Sequence, residues 1–304
     1  MILVFGSINI DLVTRVDRIA RPGETVLSPD YELFHGGKGG NQAVAAARSA
    51  PGVASVAMCG AIGDDPFGTD ARDNLSREGI DISLLQVVDA RTGSAFISVD
   101  ASGENAITVA SGANRLLVAD RLPDELLDRV GAAVLQMEVP LAENMALAER
   151  LHARPASVIL NFAPARDDIP AETLRQFLGT VDHLVVNEHE AETLCAALGL
   201  GFAGDGGAAL ADSLGLAVIV TLGAAGVNLH RRGVAPWHRD ADQVAVVDTT
   251  GAGDTFVGVL ASGLDAGLSL EATIVRASAA ASLSCTARGA QGGMPRLTDL
   301  ARAI

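Results

Sequence analysis

Short runs that are apolar on both faces recur along this chain, at residues 2–5, 53–58, 158–162, 183–186 and 218–222, with helical patterns between them. A strand without a polar face needs cover on both sides, and strands that alternate with helices run parallel. The chain is therefore expected to adopt an α/β fold, a doubly wound, mostly parallel sheet flanked by helices. Helical spacing of apolar residues predicts helices over about 40–49, 67–78, 141–152, 188–198, 206–214 and 270–284. The last is nearly all Ala and Ser along one flank, which suits close packing against the sheet.

Two regions depart from this alternation. Residues 12–35, and residues 92–109 with their Ser102-Gly103-Glu104-Asn105 turn, read as hairpin-like strands. They are expected to form a small β-sheet lid over the carboxyl ends of the main strands, where open α/β sheets bind ligands. The division that follows is a core domain of 1–11, 36–91 and 110–304, and a lid of 12–35 and 92–109.

The densest chemistry lies in the run from Asp248 to Phe256. Val244, Val246 and Val247 read as a strand, and Val257, Leu260 and Leu264 recur at helical spacing. Gly251, Ala252 and Gly253 are expected to turn the one into the other, leaving free backbone N–H groups with the positive end of the helix dipole behind them. Such a turn is an anion cradle, and its small side chains let a phosphate approach the backbone. Asp254, in the first helical turn, reads either as a cap and dipole partner or as a base. A cradle for anions repels a carboxylate as co-ligand, which favours an acid that takes a proton from a nucleophile facing the phosphate.

Polar residues stand at several other strand ends. Asn9 and Asp11 follow the first strand, as an Asx turn or as a carboxylate that accepts from two vicinal hydroxyls. The segment Gly36-Gly37-Lys38-Gly39-Gly40-Asn41 fits neither a P-loop nor a dinucleotide fingerprint. It reads as a flexible loop, or as close backbone approach with Lys38 and Asn41 suited to hydroxyls. Glu138 ends the run 133–137. Asn187 and Glu190, three apart at a helix start, suit a capping arrangement or a water-mediated Mg²⁺ site. Thr221 and Gly223 suit nucleotide contacts or a turn. Taken jointly, these strand ends describe one cleft.

A net charge of −15 lacks the basic footprint that a nucleic-acid partner requires. No apolar run reaches membrane-spanning length, and residues 1–5 read as a strand with no basic segment before them. Cys59, Cys195 and Cys285 are odd in number and lack ligand spacing, so they are expected to be reduced and buried. These features point to the cytoplasm. The six histidines show no metal spacing, Trp237 reads as a packing residue in a loop, and Asp64-Asp65 reads as a helix cap.

The chain resembles the ribokinase family of carbohydrate kinases in GGKGGNQAVAAAR at 36–48 and VDTTGAGDTFVG at 247–258. It is similar to that family also in GSINID at 6–11, NFAPAR at 161–166, NEHEAE at 187–192, TLGAAG at 221–226 and RGAQ at 288–291, so the likeness runs over nearly the full length. The resemblance implies an ATP-dependent kinase acting on the primary 5-hydroxyl of D-ribose, working as a homodimer through its lid. It implies Asp254 as base and Gly251, Ala252 and Gly253 as the anion hole. Asn9, Asp11, Gly37, Lys38, Asn41, Glu138 and Asp254 would hold the sugar. ATP would lie along Asn187, Thr221, Gly223, Gly226, Gly253 and Ser278, with Glu190 organising Mg²⁺ waters. Asp248 and Thr250, with Ser284, Ala287, Gly289 and Gly293, would enclose K⁺ or a similar monovalent cation. Gly292-Gly293 departs from the Pro-Ser type pair often seen after RGAQ, which removes a hydroxyl at the last cation position. Another acceptor, such as deoxyribose, fructose, a keto-deoxy sugar acid or a nucleoside, is the alternative, and a non-catalytic sugar sensor a more distant one.

Overall fold

A computed structural model describes residues 1–50 and 55–303. Strand β1 (Ile2–Phe5) runs into β2 (Asn9–Arg15) and β3 (Tyr31–Gly36), and helix α1 (Lys38–Ser49) follows at once. Next come β4 (Val56–Cys59), β5 (Ala61–Gly63), α2 (Pro66–Arg77), β6 (Gln86–Val88), β7 (Gly93–Val99) and β8 (Asn105–Ala110). From there β9 (Ala132–Gln136), β10 (Ser157–Asn161), β11 (His183–Asn187) and β12 (Ala217–Thr221) alternate with helices. Those are α3 (Asp124–Leu127), α4 (Leu141–His152), α5 (Ala171–Leu178), α6 (Glu188–Leu198) and α7 (Gly207–Leu214). The hairpin β13 (Val227–Arg231) and β14 (Val234–Arg239) leads to α8 (Ala252–Asp265), α9 (Leu270–Ser284) and α10 (Leu297–Ala303).

The main sheet has the order β14-β13-β12-β11-β10-β9-β1-β4, parallel from β12 to β4 and closed at one side by the antiparallel β13 and β14. Both faces are covered, as the two-sided apolar strands require. Leu3 and Phe5 face the layer of α4 to α7, while Ile2 and Val4 face α1, α2, α8 and α9. Four further strands, β3-β2-β7-β8, make a separate small sheet, with β2 and β7 parallel at its centre between two hairpin pairings. This sheet begins at Asn9, directly after β1, so it stands at the carboxyl end of the main strands.

Two expectations are corrected. The segment holding Val244, Val246 and Val247 is not a strand. It is an irregular run with Val246 63% and Val247 57% exposed, whose Val247 N donates to Cys285 O at the end of α9 rather than to a strand among the described residues. Trp237 lies within β14, paired with Leu229, rather than in a loop. The Ala- and Ser-rich α9 packs chiefly on α8, and its Ile274, Ala277 and Ala280 share one core cluster with Ile219, Val227 and Leu229 of the sheet. Residues 53 and 54 of the strand expected over 53–58 lie outside the described residues. Asp65 caps α2 by accepting from Gly68 N at 2.8 Å, and the three cysteines are free and buried.

One contact between layers positions the site. A Cβ on Gly258 of α8 would lie 2.4 Å from Gln42 O and 2.6 Å from Ala45 Cβ of α1. Only glycine lets these helices come so close, and their approach brings residues 41 and 42 against residue 254.

Candidate active site

Helix α8 starts at Gly251, whose φ of 77° is the left-handed conformation that glycine adopts without strain. The Ala252 amide is engaged, donating to Thr249 O at 3.2 Å, and Thr255 N donates to Gly251 O at 2.8 Å. The amides of Gly251, Gly253 and Asp254 have no protein acceptor among the described residues. Three unpaired donors at a helix N-terminus form an anion site. Open space faces Gly253, where a Cβ would meet nothing within 4 Å.

Asp254 stands beside this turn and is 8% exposed. Its Oδ2 accepts from Asn41 Nδ2 at 2.9 Å and its Oδ1 from Gln42 Nε2 at 3.0 Å. Gln42 Nε2 also donates to Asn161 Oδ1 at 3.1 Å. Burial pushes the Asp254 carboxyl above its ordinary range. Lys38 and the donors Asn41 and Gln42 pull against that, while Glu138 adds to it. Lys38 is itself held charged: burial opposes the ammonium, but Asp254, Glu138 and Glu190 outweigh it and raise the pKa.

Towards the small sheet, Glu138 Oε2 accepts from the Ser7 hydroxyl and from Lys38 N, the latter at 3.1 Å. The Asn9 amide is oriented by Asn114 Nδ2, which donates to its Oδ1 at 2.8 Å. Asp11 differs from every carboxylate around it. It accepts no hydrogen bond from the described residues, and burial, Glu138 and Asp254 push its pKa up to about 7. Its carboxylate is therefore free for a ligand. Gly37, with φ 81°, caps α1 next to these groups.

Two adjoining cavities meet at Gly253. One, of about 290 Å³, is lined by residues including Thr221, Gly223, Gly226, Gly253, Phe256 and Ser278. The other, of about 150 Å³, is lined among others by Lys38, Asn187, Glu190, Gly251, Gly253 and Asp254, and it shares Thr221 and Gly253 with the first. Asn187 and Glu190 form a reciprocal capping box at the start of α6, with both bonds at 2.8 Å. Burial raises the Glu190 pKa against the pull of Asn187 N–H, Lys38 and His189.

Asp248 sits behind the turn, its Oδ1 accepting from Thr250 N and its Oδ2 from Gly289 N, both at 2.9 Å. Burial raises its pKa, but these bonds and the Thr250 side chain outweigh it and leave the carboxyl below its ordinary range. The loop after α9, which carries Ala287, passes so close to its own start that a Cβ on Gly293 would lie 2.0 Å from Ser284 O. Gln42, Asn161, Gln291, Asn114 and Ser7 were not singled out from sequence. All but Asn114 lie within the conspicuous motifs, but a polar side chain in a motif does not say what it touches.

A cradle for an anion, a buried carboxyl and an open carboxylate converge here. The pfkB family carbohydrate kinase profile matches residues 1–297. The chain belongs to the pfkB family of carbohydrate kinases. Within it, the chain is 38% identical over 299 residues to the ribokinase of Lactococcus lactis subsp. lactis, covering 98% of this chain and 94% of that protein. The ribokinase crystal structure from Thermotoga maritima superposes with a TM-score of 0.89 at 33% identity, covering 99% of this chain and 98% of that one. The Arabidopsis thaliana ribokinase complexed with ribose and ATP gives a TM-score of 0.87 at 29% identity, over 99% of this chain and 97% of that one. Gly253 of the cradle lines both cavities, and Gly251 lines the smaller.

Proposed function

We propose that this protein transfers the γ-phosphate of ATP to the primary 5-hydroxyl of D-ribose, giving ribose 5-phosphate and ADP. The observation that carries this reading is the pairing of Asp254 with the unpartnered amides of Gly251 and Gly253 in a chain 38% identical to a ribokinase. ATP would occupy the larger cavity along Thr221, Gly223, Gly226 and Ser278 and reach Asn187 in the smaller one, its γ-phosphate facing the amides. Ribose would lie on the small-sheet side against Asn9, Asp11, Gly37, Lys38, Asn41 and Glu138. Asp11, which accepts nothing from protein, suits two vicinal hydroxyls. Asp254 takes the proton of the attacking hydroxyl as the new P–O bond forms and the bond to ADP breaks, while Lys38 and the helix dipole balance the moving charge.

The residues also fit two ions. Glu190 keeps one carboxylate oxygen outside its capping bond, which suits an outer-sphere contact to Mg²⁺ waters. Bound Mg²⁺ supplies neutralisation of phosphate charge. Asp248, Thr250, Ser284, Ala287, Gly289 and Gly293 offer oxygen ligands of the hard kind that K⁺ takes, and the loop passes within reach of Ser284 O only because residue 293 lacks a Cβ. The small sheet (β2, β3, β7, β8) would act as lid. Tyr31, Leu33 and Phe96 lie on one of its faces and are about half exposed, which supports a homodimer joined there. Among the described residues no helix is long and apolar enough to cross a membrane, and the three free buried thiols suit a reducing cytoplasm.

Two measurements test the reading. A panel of sugars and nucleosides assayed with Mg-ATP, with and without KCl, is expected to give ribose the highest kcat/KM and a gain with KCl. Fructose or a nucleoside exceeding ribose about tenfold, a difference of ~1.4 kcal/mol in transition-state binding, would overturn the substrate while leaving the chemistry intact. The KM for ribose is also expected to rise as pH falls through about 7, where Asp11 gains its proton. Its raised pKa means that the acceptor form is complete only above that pH, and sugar hydroxyls bind the ionised form. A KM flat from pH 6 to 8 would remove Asp11 from sugar binding.

A further inference from the structure

The carboxylate of Asp254 is oriented by amides, and one of them is itself set from far along the chain. Asn41 presents Nδ2 to Asp254 Oδ2. An amide has a donor end and an acceptor end, and nothing in Asn41 alone decides which of them faces the carboxylate. An ionised carboxylate, which only accepts, selects the NH₂, and Gln291 holds that choice also when the carboxyl is protonated, because its Nε2 donates to Asn41 Oδ1 at 3.1 Å and so leaves only the NH₂ for Asp254. Gln291 is oriented in the same sense one step further out: Asn74 Nδ2 on α2 donates to its Oε1 at 2.9 Å. Its backbone carbonyl accepts from Arg48 Nη1 at 2.6 Å, and Arg48 is clamped on Glu78 at 2.7 and 3.0 Å. The amides run head to tail, from Asn74 through Gln291 and Asn41 to the carboxylate.

We propose that Gln291 is a positioning residue for the base, acting through Asn41 to hold an N–H donor on Asp254. This rests on the reading of Asp254 as the base and deepens it. A donor on a carboxylate favours its ionised form, the form that accepts a proton, and so opposes the burial that favours the acid. The charged groups around Asp254 are Lys38 at the start of α1, Glu138 after β9, Asp11 on β2 and Glu190 on α6. Arg48, Glu78 and Arg296 surround the outer end of the chain of amides. Replacing Gln291 with a neutral side chain alters none of these charges. Gln291 also belongs to the loop whose Gly289 donates to Asp248, so one loop touches both the proposed cation site and the base.

The test is the pH profile of kcat in Gln291→Met and Asn74→Ala, with ribose and Mg-ATP saturating. In Gln291→Met, Asn41 is free to turn its oxygen towards Asp254. The acidic limb is expected to move up by about one pH unit, with kcat on the acidic side of the limb down about tenfold and the KM for ATP within about twofold of wild type. Asn74→Ala, a change on the half-buried side of a surface helix, is expected to move the limb in the same direction by less, and it carries the test if the first variant does not fold. A limb unmoved in the folded variants, with only the melting temperature lowered, would reduce Gln291 to a structural prop. Asp254→Asn assayed alongside separates the two levels: if it retains more than a tenth of wild-type kcat, the base itself is misassigned, whatever Gln291 does.

Discussion

Asp254→Asn is expected to lower kcat by about 10²–10⁴-fold while the KM for ATP and the affinity for ribose stay within a few-fold of wild type. Asn has the size and shape of Asp, so the ligands keep their walls, but it cannot accept the hydroxyl proton as the phosphoryl group departs. The loss falls on kcat because the interaction exists only in the transition state. The same substitution places an amide against the NH₂ groups of Asn41 and Gln42, of which it can satisfy only one with its single oxygen. Single-turnover ADP formation, with ribose binding followed separately by calorimetry, distinguishes the two effects. Retention of more than about a tenth of kcat would take the role of base away from Asp254. A fall in ribose affinity as large as the fall in kcat would make it a ligand of the ground state instead.

Gly251→Ala carries the second largest expected effect, through geometry rather than proton transfer. The residue sits at φ 77°, and a Cβ there would lie 2.8 Å from Ala290 Cα and O. The left-handed conformation costs a residue with a Cβ about 1–2 kcal/mol, and the contact forces the turn or the loop after α9 to move. Either shift re-aims the amides of Gly251, Gly253 and Asp254. Loss of one such donor elsewhere costs about 10²–10³-fold in kcat, and a loss of that size is expected here, together with a melting temperature lower by a few degrees. Gly253→Ala is the control. Its Cβ meets no protein atom within 4 Å, so the fold is expected to stay as stable as wild type while the methyl obstructs the phosphate. A Gly251→Ala enzyme within threefold of wild-type kcat would show that these amides do not bind the transferring group.

The alternation of strand and helix was legible because each element carries its own period. Residues 2–5, 158–162 and 183–186 read as buried strands and form β1, β10 and β11 within one residue at either end. The segment at 244–247 shows the limit of such reading. Three valines have strand propensity, but propensity yields a strand only where a neighbouring strand offers a ladder, and the partner of Val247 N is Cys285 O at the end of α9. Helix α5 was not read from the sequence, although Leu174, Phe177 and Leu178 are spaced to bury one of its faces. In the candidate site, Asp254 and its glycine turn were conspicuous because the chemistry and the helix start occupy consecutive residues. The two readings of Asn187 and Glu190 turned out to be compatible: the pair does form a capping box, and it lines the smaller cavity as well.

By itself, the sequence determined what depends on neighbours along the chain: the parallel α/β layering, the turn that frees amides before α8, and the order of polar residues at strand ends. Only the tertiary structure decided what those residues meet. Asn41 and Gln291 are 250 positions apart, and Gln42 and Asp254 are 212 apart, yet each pair is joined by a hydrogen bond. An amide side chain has the same local signature whether it faces water, a turn or a carboxylate. Its partner is chosen by how closely α1 and α8 approach over Gly258 and by where the loop after α9 is tied down, which no local period encodes.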